Sequence, residues 1–128
     1  MPTLVGKADR VLVDPPCSAL GTRPKLYDET KFEHVLGLAK YQRQFLKVAA
    51  RLCKPGGVIV YSTCTLTLEE NEENVAYAVE ELGLEVEEVK WHVGGPAIEV
   101  KDCVRGCWRF EPDEHGTPGY FIAKLRKP

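Results

Sequence analysis

Apolar residues along this chain alternate between short solid runs and longer stretches with a helical beat. Val11-Leu12-Val13 is a solid run that stops at Asp14. Such a run is the pattern of a strand buried on both faces inside a parallel sheet. Pro15, Pro16, Cys17 and Ser18 follow, and the polar segment from Thr22 to Thr30 carries no periodicity, which makes it a loop. From about Lys31 to Cys53 the beat becomes helical. Leu38, Tyr41, Phe45, Val48 and Leu52 recur at steps of three and four and form an apolar stripe, while Lys40, Arg43, Lys47 and Arg51 line another face. The Lys-Pro-Gly-Gly stretch at 54–57 stops the helix, because proline cannot continue it and glycine tolerates left-handed angles.

"VIVYSTC", from Val58 to Cys64, predicts a second buried strand. Thr67-Leu68-Glu69-Glu70 fits a capping box ahead of another helix, whose stripe is Val75, Val79 and Leu82 and whose end is Gly83. "LEVEEVKW" and the C-terminal "GYFIAKLRK" suit two further strands, the first more exposed and paired antiparallel with the second; the stretch between Val93 and Pro118 reads as irregular. The order strand, helix, strand, helix, strand, strand gives the α/β class with a parallel crossover. In open sheets of this kind ligands sit at the carboxyl ends of strands. Asp14 and Cys64 both fall at such ends, so residues 14–18 and 62–65 are expected to face one crevice.

Composition narrows the field. The chain has 128 residues, enough for one domain, with 44% hydrophobic and 28% charged residues. Its apolar runs are strand-sized, and no basic flank with a long apolar stretch follows Met1, so a cytoplasmic location without membrane association is expected. A net charge of −2 argues against a self-sufficient nucleic-acid binder, although the basic helix face could serve as one patch. Five cysteines without a secreted context do not make a disulfide framework. Cys103 and Cys107 lack a second Cys/His pair at zinc-site spacing and read as loop thiols, with no metal site expected.

The other notable thiols are Cys17 and Cys64. Each stands in a polar turn, among Ser18, Ser62, Thr63 and Thr65. Hydroxyls and helix-entry amides around a thiol can lower its pKa and expose a thiolate. Asp14, placed abruptly after three apolar residues and before two conformation-fixing prolines, reads as a positioned acid.

The residues together resemble the Nol/Nop/Sun (RsmB-like) family of RNA cytosine-5 methyltransferases. "DPPCS" at Asp14–Ser18, "STCT" at Ser62–Thr65, "EENEENV" at Glu69–Val75 and "YFIAKLRK" at Tyr120–Lys127 carry the likeness, along with "YQRQFLKVAARLCKPGGVIVYSTCT" from Tyr41. "RPKL" at Arg23–Leu26 resembles the branch that methylates transfer RNA. The resemblance implies a class I, Rossmann-like methyltransferase fold that uses S-adenosylmethionine on transfer or ribosomal RNA. It implies Cys64 as the nucleophile that adds to carbon 6 of cytosine. Cys17 would assist product release, and Asp14 would stabilise the adduct and contact the cofactor. Pro15, Pro16, Ser18 and Thr63 would line the substrate pocket.

Three departures stand out. "DPP" also opens the motif of amino-group methyltransferases, but here a cysteine replaces their aromatic residue and a second cysteine motif follows. "SALG" at Ser18–Gly21 stands where the family commonly has "SGxG". No glycine-rich loop follows a strand, so the chain is expected to be the C-terminal half of a catalytic domain, fourth strand onward. A sheet cut in that way exposes an edge, which leads us to expect a homodimer or a second polypeptide that completes the domain. Two functions are then open: the active-site half of a methyltransferase, or an inactive remnant that associates or binds RNA.

Overall fold

The computed structural model describes residues 2–22, 31–89, 94–99 and 105–128. Strand β1 (Ala8–Val13) leads through a loop to helix α1 (Phe32–Leu52), which passes directly into β2 (Cys53–Thr63). Helix α2 (Glu72–Glu80) and strands β3 (Glu85–Glu87), β4 (Gly95–Pro96) and β5 (Trp108–Phe110) follow. A short helix α3 (Pro112–His115) precedes the last strand, β6 (Tyr120–Arg126). The sheet runs β1-β2-β6-β5-β4, with β3 also paired to β6. β1 and β2 are parallel, as a crossover through a helix requires, and the other pairings are antiparallel. This is the expected α/β class, including the antiparallel match of β3 with the C-terminal strand.

The core follows the two-residue period of the strands. Ile59 and Tyr61 of β2, with Phe121, Ala123 and Leu125 of β6, are fully buried under Leu46 and Ala49 of α1 and Val75 and Ala78 of α2. Burial of these side chains is worth about 1.5–3 kcal/mol for each large one.

Four expectations change. Val11–Val13 is not sealed on both faces: β1 is the edge strand and Leu12 is 73% exposed. The apolar stripe of α1 does not meet the core either. Tyr41, Phe45 and Val48 are exposed, and the buried face is instead Val35, Ala39, Gln42, Leu46 and Ala49. The helix thus carries two apolar faces, and the one with less bulk, which includes Ala39 and Ala49, lies against the sheet. Lys54–Gly57 does not separate helix from strand. β2 begins at once, and the four residues are absorbed where the register jumps from Ala8↔Cys53 to Arg10↔Val58, an irregularity that lets Pro55 sit within a strand. Finally, the stretch between Val93 and Pro118 contains β4, β5 and α3, strands too short to leave an alternating pattern. The 22–30 loop, apart from Thr22, and Cys103 lie outside the described residues.

Candidate active site

The parallel register builds the site. Val13 pairs with Tyr61, so Asp14, the first residue beyond β1, comes beside Ser62 near the end of β2. The Ser62 hydroxyl points at Asp14 Oδ1 over a long 3.5 Å, and the Tyr120 hydroxyl approaches Ser62 at 3.4 Å. Three residues further along the first turn, Cys17 Sγ lies 2.9 Å from Cys64 Sγ. Both thiols are half-buried and Asp14 is exposed.

Backbone contacts clamp the two turns together. Gly21 donates its N–H to the Cys64 carbonyl at 2.9 Å, and Gly119, at the start of β6, donates to the Gly21 carbonyl at 2.6 Å. A side chain at Gly21 would collide with the Gly119 carbonyl, so this approach requires glycine. Ala19 sits at φ 57°, in the left-handed region, with its carbonyl held by the Thr22 N–H and hydroxyl. The conformation explains the glycine common at this place in "SGxG" sequences, and this chain carries the strain instead.

The remaining polar residues near the thiols face inward. Pro15 and Ser18 are buried, and the Ser18 hydroxyl lies 2.6 Å from both Thr65 Oγ1 and Glu70 Oε2. Thr63 is fully buried and donates its hydroxyl to Asn71 Oδ1. Pro15, Ser18 and Thr63 are thus buried in the turns, and of the four expected substrate-pocket residues only Pro16 is exposed. Behind them lies a polar cluster that the sequence did not reveal as such. Gln42 Nε2 donates to the Pro16 carbonyl and to Glu70 Oε1, both at 2.9 Å. The Tyr61 hydroxyl donates to the Glu70 carbonyl at 2.5 Å, while Asn74 Nδ2 donates to Gln42 Oε1 at 3.0 Å. On the far side, buried Arg109 pairs with Glu72 at 2.8 Å and also donates to the Leu66 carbonyl, tying β5 to the turn after Cys64.

The electrostatics differ from the expected activated thiol. Burial pushes the Cys64 thiol up from 9.0 to about 11, with the Cys17 hydrogen bond, the Cys17 charge and the Asp14 carboxylate adding to the rise. Nearby hydroxyls and amides do not offset this. Cys64 is a protonated thiol at neutral pH.

Beside Asp14 an apolar groove of about 520 Å³ runs between β1 and α1, lined by Leu12, Pro15, Pro16, Tyr41, Phe45 and Val48 among others. A carboxylate at the end of an apolar wall suits a cation that carries a flat ring. Among the described residues no group of three His, Cys, Asp or Glu side chains could hold a metal ion, and no helix is long and apolar enough to cross a membrane.

The α/β sheet, with its parallel crossover and its ligand-facing turns at the strands' carboxyl ends, is of the Rossmann-like methyltransferase class. Residues 1–126 match the family described as 16S rRNA methyltransferase RsmB/F, and the chain belongs to that family. It is 46% identical to the tRNA (cytosine(72)-C(5))-methyltransferase of Pyrococcus horikoshii, over 99% of this chain and 31% of that protein. It is 37% identical to the tRNA (cytosine(49)-C(5))-methyltransferase of Pyrococcus abyssi, over 94% of this chain and 42% of that one. The crystal structure of NSun6 from Pyrococcus horikoshii with SFG superposes with a TM-score of 0.90 at 47% identity, covering 98% of this chain and 32% of that chain. The chain therefore spans roughly a third of the length of such relatives.

Two outcomes test this geometry. Alkylation of Cys64 by iodoacetamide, followed by peptide mass mapping, should be slow at pH 8 and rise steeply towards pH 11, because a raised pKa leaves little thiolate below it; saturation below pH 9 would contradict the raised value. Ala19→Gly should stabilise the chain by about 0.5–1 kcal/mol in urea unfolding, the left-handed penalty less glycine's extra chain entropy. A destabilised variant would show that Ala19 carries no strain.

Proposed function

We propose that this chain carries the reacting thiols of an S-adenosylmethionine-dependent RNA cytosine-5 methyltransferase, and that it works joined to the rest of a catalytic domain. The contact between Cys17 and Cys64 beside Asp14 is the observation that supports this reading most directly. Carbon 5 of cytosine is a weak nucleophile, and addition of a sulfur to carbon 6 converts the ring into an enamine that attacks electrophiles.

Cys64, as thiolate, forms the bond to carbon 6, and the displaced electron pair passes towards carbon 5 and the ring nitrogen. Asp14 stands at the mouth of the site, where its carboxyl can hydrogen-bond that nitrogen or the exocyclic amine and steady the developing charge. The chemistry that S-adenosylmethionine would supply, when bound, is an electrophilic methyl group on a positive sulfonium. Cys17, in contact with Cys64 and entering this step as thiolate, accepts the carbon 5 proton; the ring double bond re-forms, the Cys64 thiolate leaves, and one proton passes to solvent overall. The target base must first swing out of its stack to reach the turn. Asp14, Pro16 and the apolar groove would hold one side of the cofactor. No glycine-rich loop follows a strand in this sequence, so they form only part of its cradle.

RNA approach would use positive charge. Lys40, Lys47 and Arg51 are exposed on α1, whereas Arg43 is engaged by Asn74 at 2.9 Å and stacks on Tyr77. The outer edge of β1, with Leu12 exposed and the groove beside it, calls for a covering strand and helix from the remainder of the domain or from a second copy.

In the assembled enzyme, Cys64→Ala should abolish methylation of transfer RNA, while Cys17→Ala should leave RNA covalently attached to protein on a denaturing gel. Normal product release by the Cys17 variant would sink the assignment. Sedimentation of the isolated chain should show species above monomer mass that Leu12→Lys suppresses; a clean monomer at high concentration would show that the edge is not adhesive.

A further inference from the structure

We propose that Glu70 is a positioning residue that sets the separation of the two thiols, an inference that rests on the reading of Cys17 and Cys64 as a working pair. Its carboxylate is fully buried and gathers donors from three segments. Ser18, adjacent to Cys17, gives its backbone N–H to Oε1 at 2.8 Å and its hydroxyl to Oε2 at 2.6 Å. Thr67, just beyond Cys64, gives its hydroxyl to Oε2 at 2.6 Å. Gln42 of α1 gives its amide to Oε1 at 2.9 Å and reaches the Pro16 carbonyl with the same nitrogen. The turn that carries Cys17 has no ladder or helix of its own from Asp14 to Ala19. Its place relative to Cys64 is therefore set by such anchors, and Glu70 touches both thiol-bearing turns and the helix between them.

The chemistry of the donors explains why a carboxylate stands there. Two N–H and two O–H groups converge on it. An ionised carboxylate is acceptor-only, with lone pairs enough for all four. Glutamine has the same shape but only one accepting oxygen, so its amide nitrogen would meet donors with donors. Glu70→Gln thus leaves the packing intact and reverses half of the polarity that joins the turns. Unmatched buried donors then drive the turns apart.

The thiols themselves report their separation. When the chain is equilibrated with oxidised and reduced glutathione, Cys17 and Cys64 lose two hydrogens to form a bridge while one glutathione disulfide becomes two glutathione thiols. The equilibrium constant measures how well the fold holds the sulfurs together, and it needs neither cofactor nor RNA. Peptide mapping should locate the bridge between Cys17 and Cys64 in the unaltered chain. In Glu70→Gln, checked as folded by circular dichroism, the constant should fall at least tenfold, about 30 mV towards more oxidising potentials. Loss of stability alone would not move this value in a folded chain. Should Glu70→Gln fail to fold, Ser18→Ala, which removes one hydroxyl and keeps the backbone donor, should shift the potential in the same direction by a smaller amount. An unaltered chain that forms no bridge would overturn the thiol pair and this proposal with it. A normal bridge whose potential is unchanged in the folded variant would overturn the role of Glu70 and leave the pair standing.

Discussion

The parallel pairing of β1 with β2 is the constraint on which the site depends. Two parallel strands end at the same sheet edge, and register fixes which residues emerge together. With Val13 opposite Tyr61, the first chain reversal opens on Asp14 beside Ser62, and each turn then has only a few residues in which to place its sulfur. A slip of one residue would turn Asp14 and every side chain before it to the other face. Val13, buried in the core at 5% exposure, makes such a slip costly because it would carry apolar area into water. The hydrophobic core thus fixes the chemistry indirectly, by fixing register.

Register brings the turns to one edge but does not hold them there, since the first has no regular structure. The fold does this with buried polar side chains. Gln42, Glu70, Asn71 and Asn74 are fully buried and each has hydrogen-bond partners in the surrounding turns and helices. Each such bond contributes only about 0.5–1.5 kcal/mol net, yet one left unmade costs about 1–3 kcal/mol. The cluster therefore adds little to stability while discriminating strongly against displaced turns. Burial raises the Tyr61 phenol well above its usual value, which keeps its hydroxyl a donor to the Glu70 carbonyl.

How much of this was legible follows from what pattern encodes. β1, β2, β3 and β6 were readable because apolar runs bounded by turn residues have few other interpretations, whereas the short β4 and β5 left no pattern; the meeting of Cys17 with Cys64 followed from topology. The buried face of α1 was not readable. Leu38-Tyr41-Phe45-Val48-Leu52 outweighs Val35-Ala39-Gln42-Leu46-Ala49 in apolar bulk, but close packing on a sheet favours the smaller set. A glutamine at the centre of a small-residue stripe was the available signal for the polar cluster. Glu70 looked like a helix cap because its spacing from Thr67 fits one. The pair does form, at 2.6 Å, but α2 starts only at Glu72 and the carboxylate is spent on Ser18 and Gln42. Spacing shows that two groups can meet and is silent on what else converges on them. The same limit applies to Ser18 and Thr63, whose motif positions say nothing of which way a hydroxyl points.

The raised pKa of Cys64 then gains a physical meaning. Its rise comes from burial, from the Cys17 hydrogen bond and from the nearby charges of Cys17 and Asp14. Each of these influences opposes a negative sulfur, and each is a consequence of packing two thiols and a carboxylate into one corner. Among the described residues the corner lacks positive charge: Arg43 is held by Asn74 and Arg109 by Glu72 and Glu111. A cation bound beside Asp14 would supply what is missing, since an opposite charge within a few ångströms favours the ionised form. In the reaction proposed above, the sulfonium of the methyl donor would be such a cation.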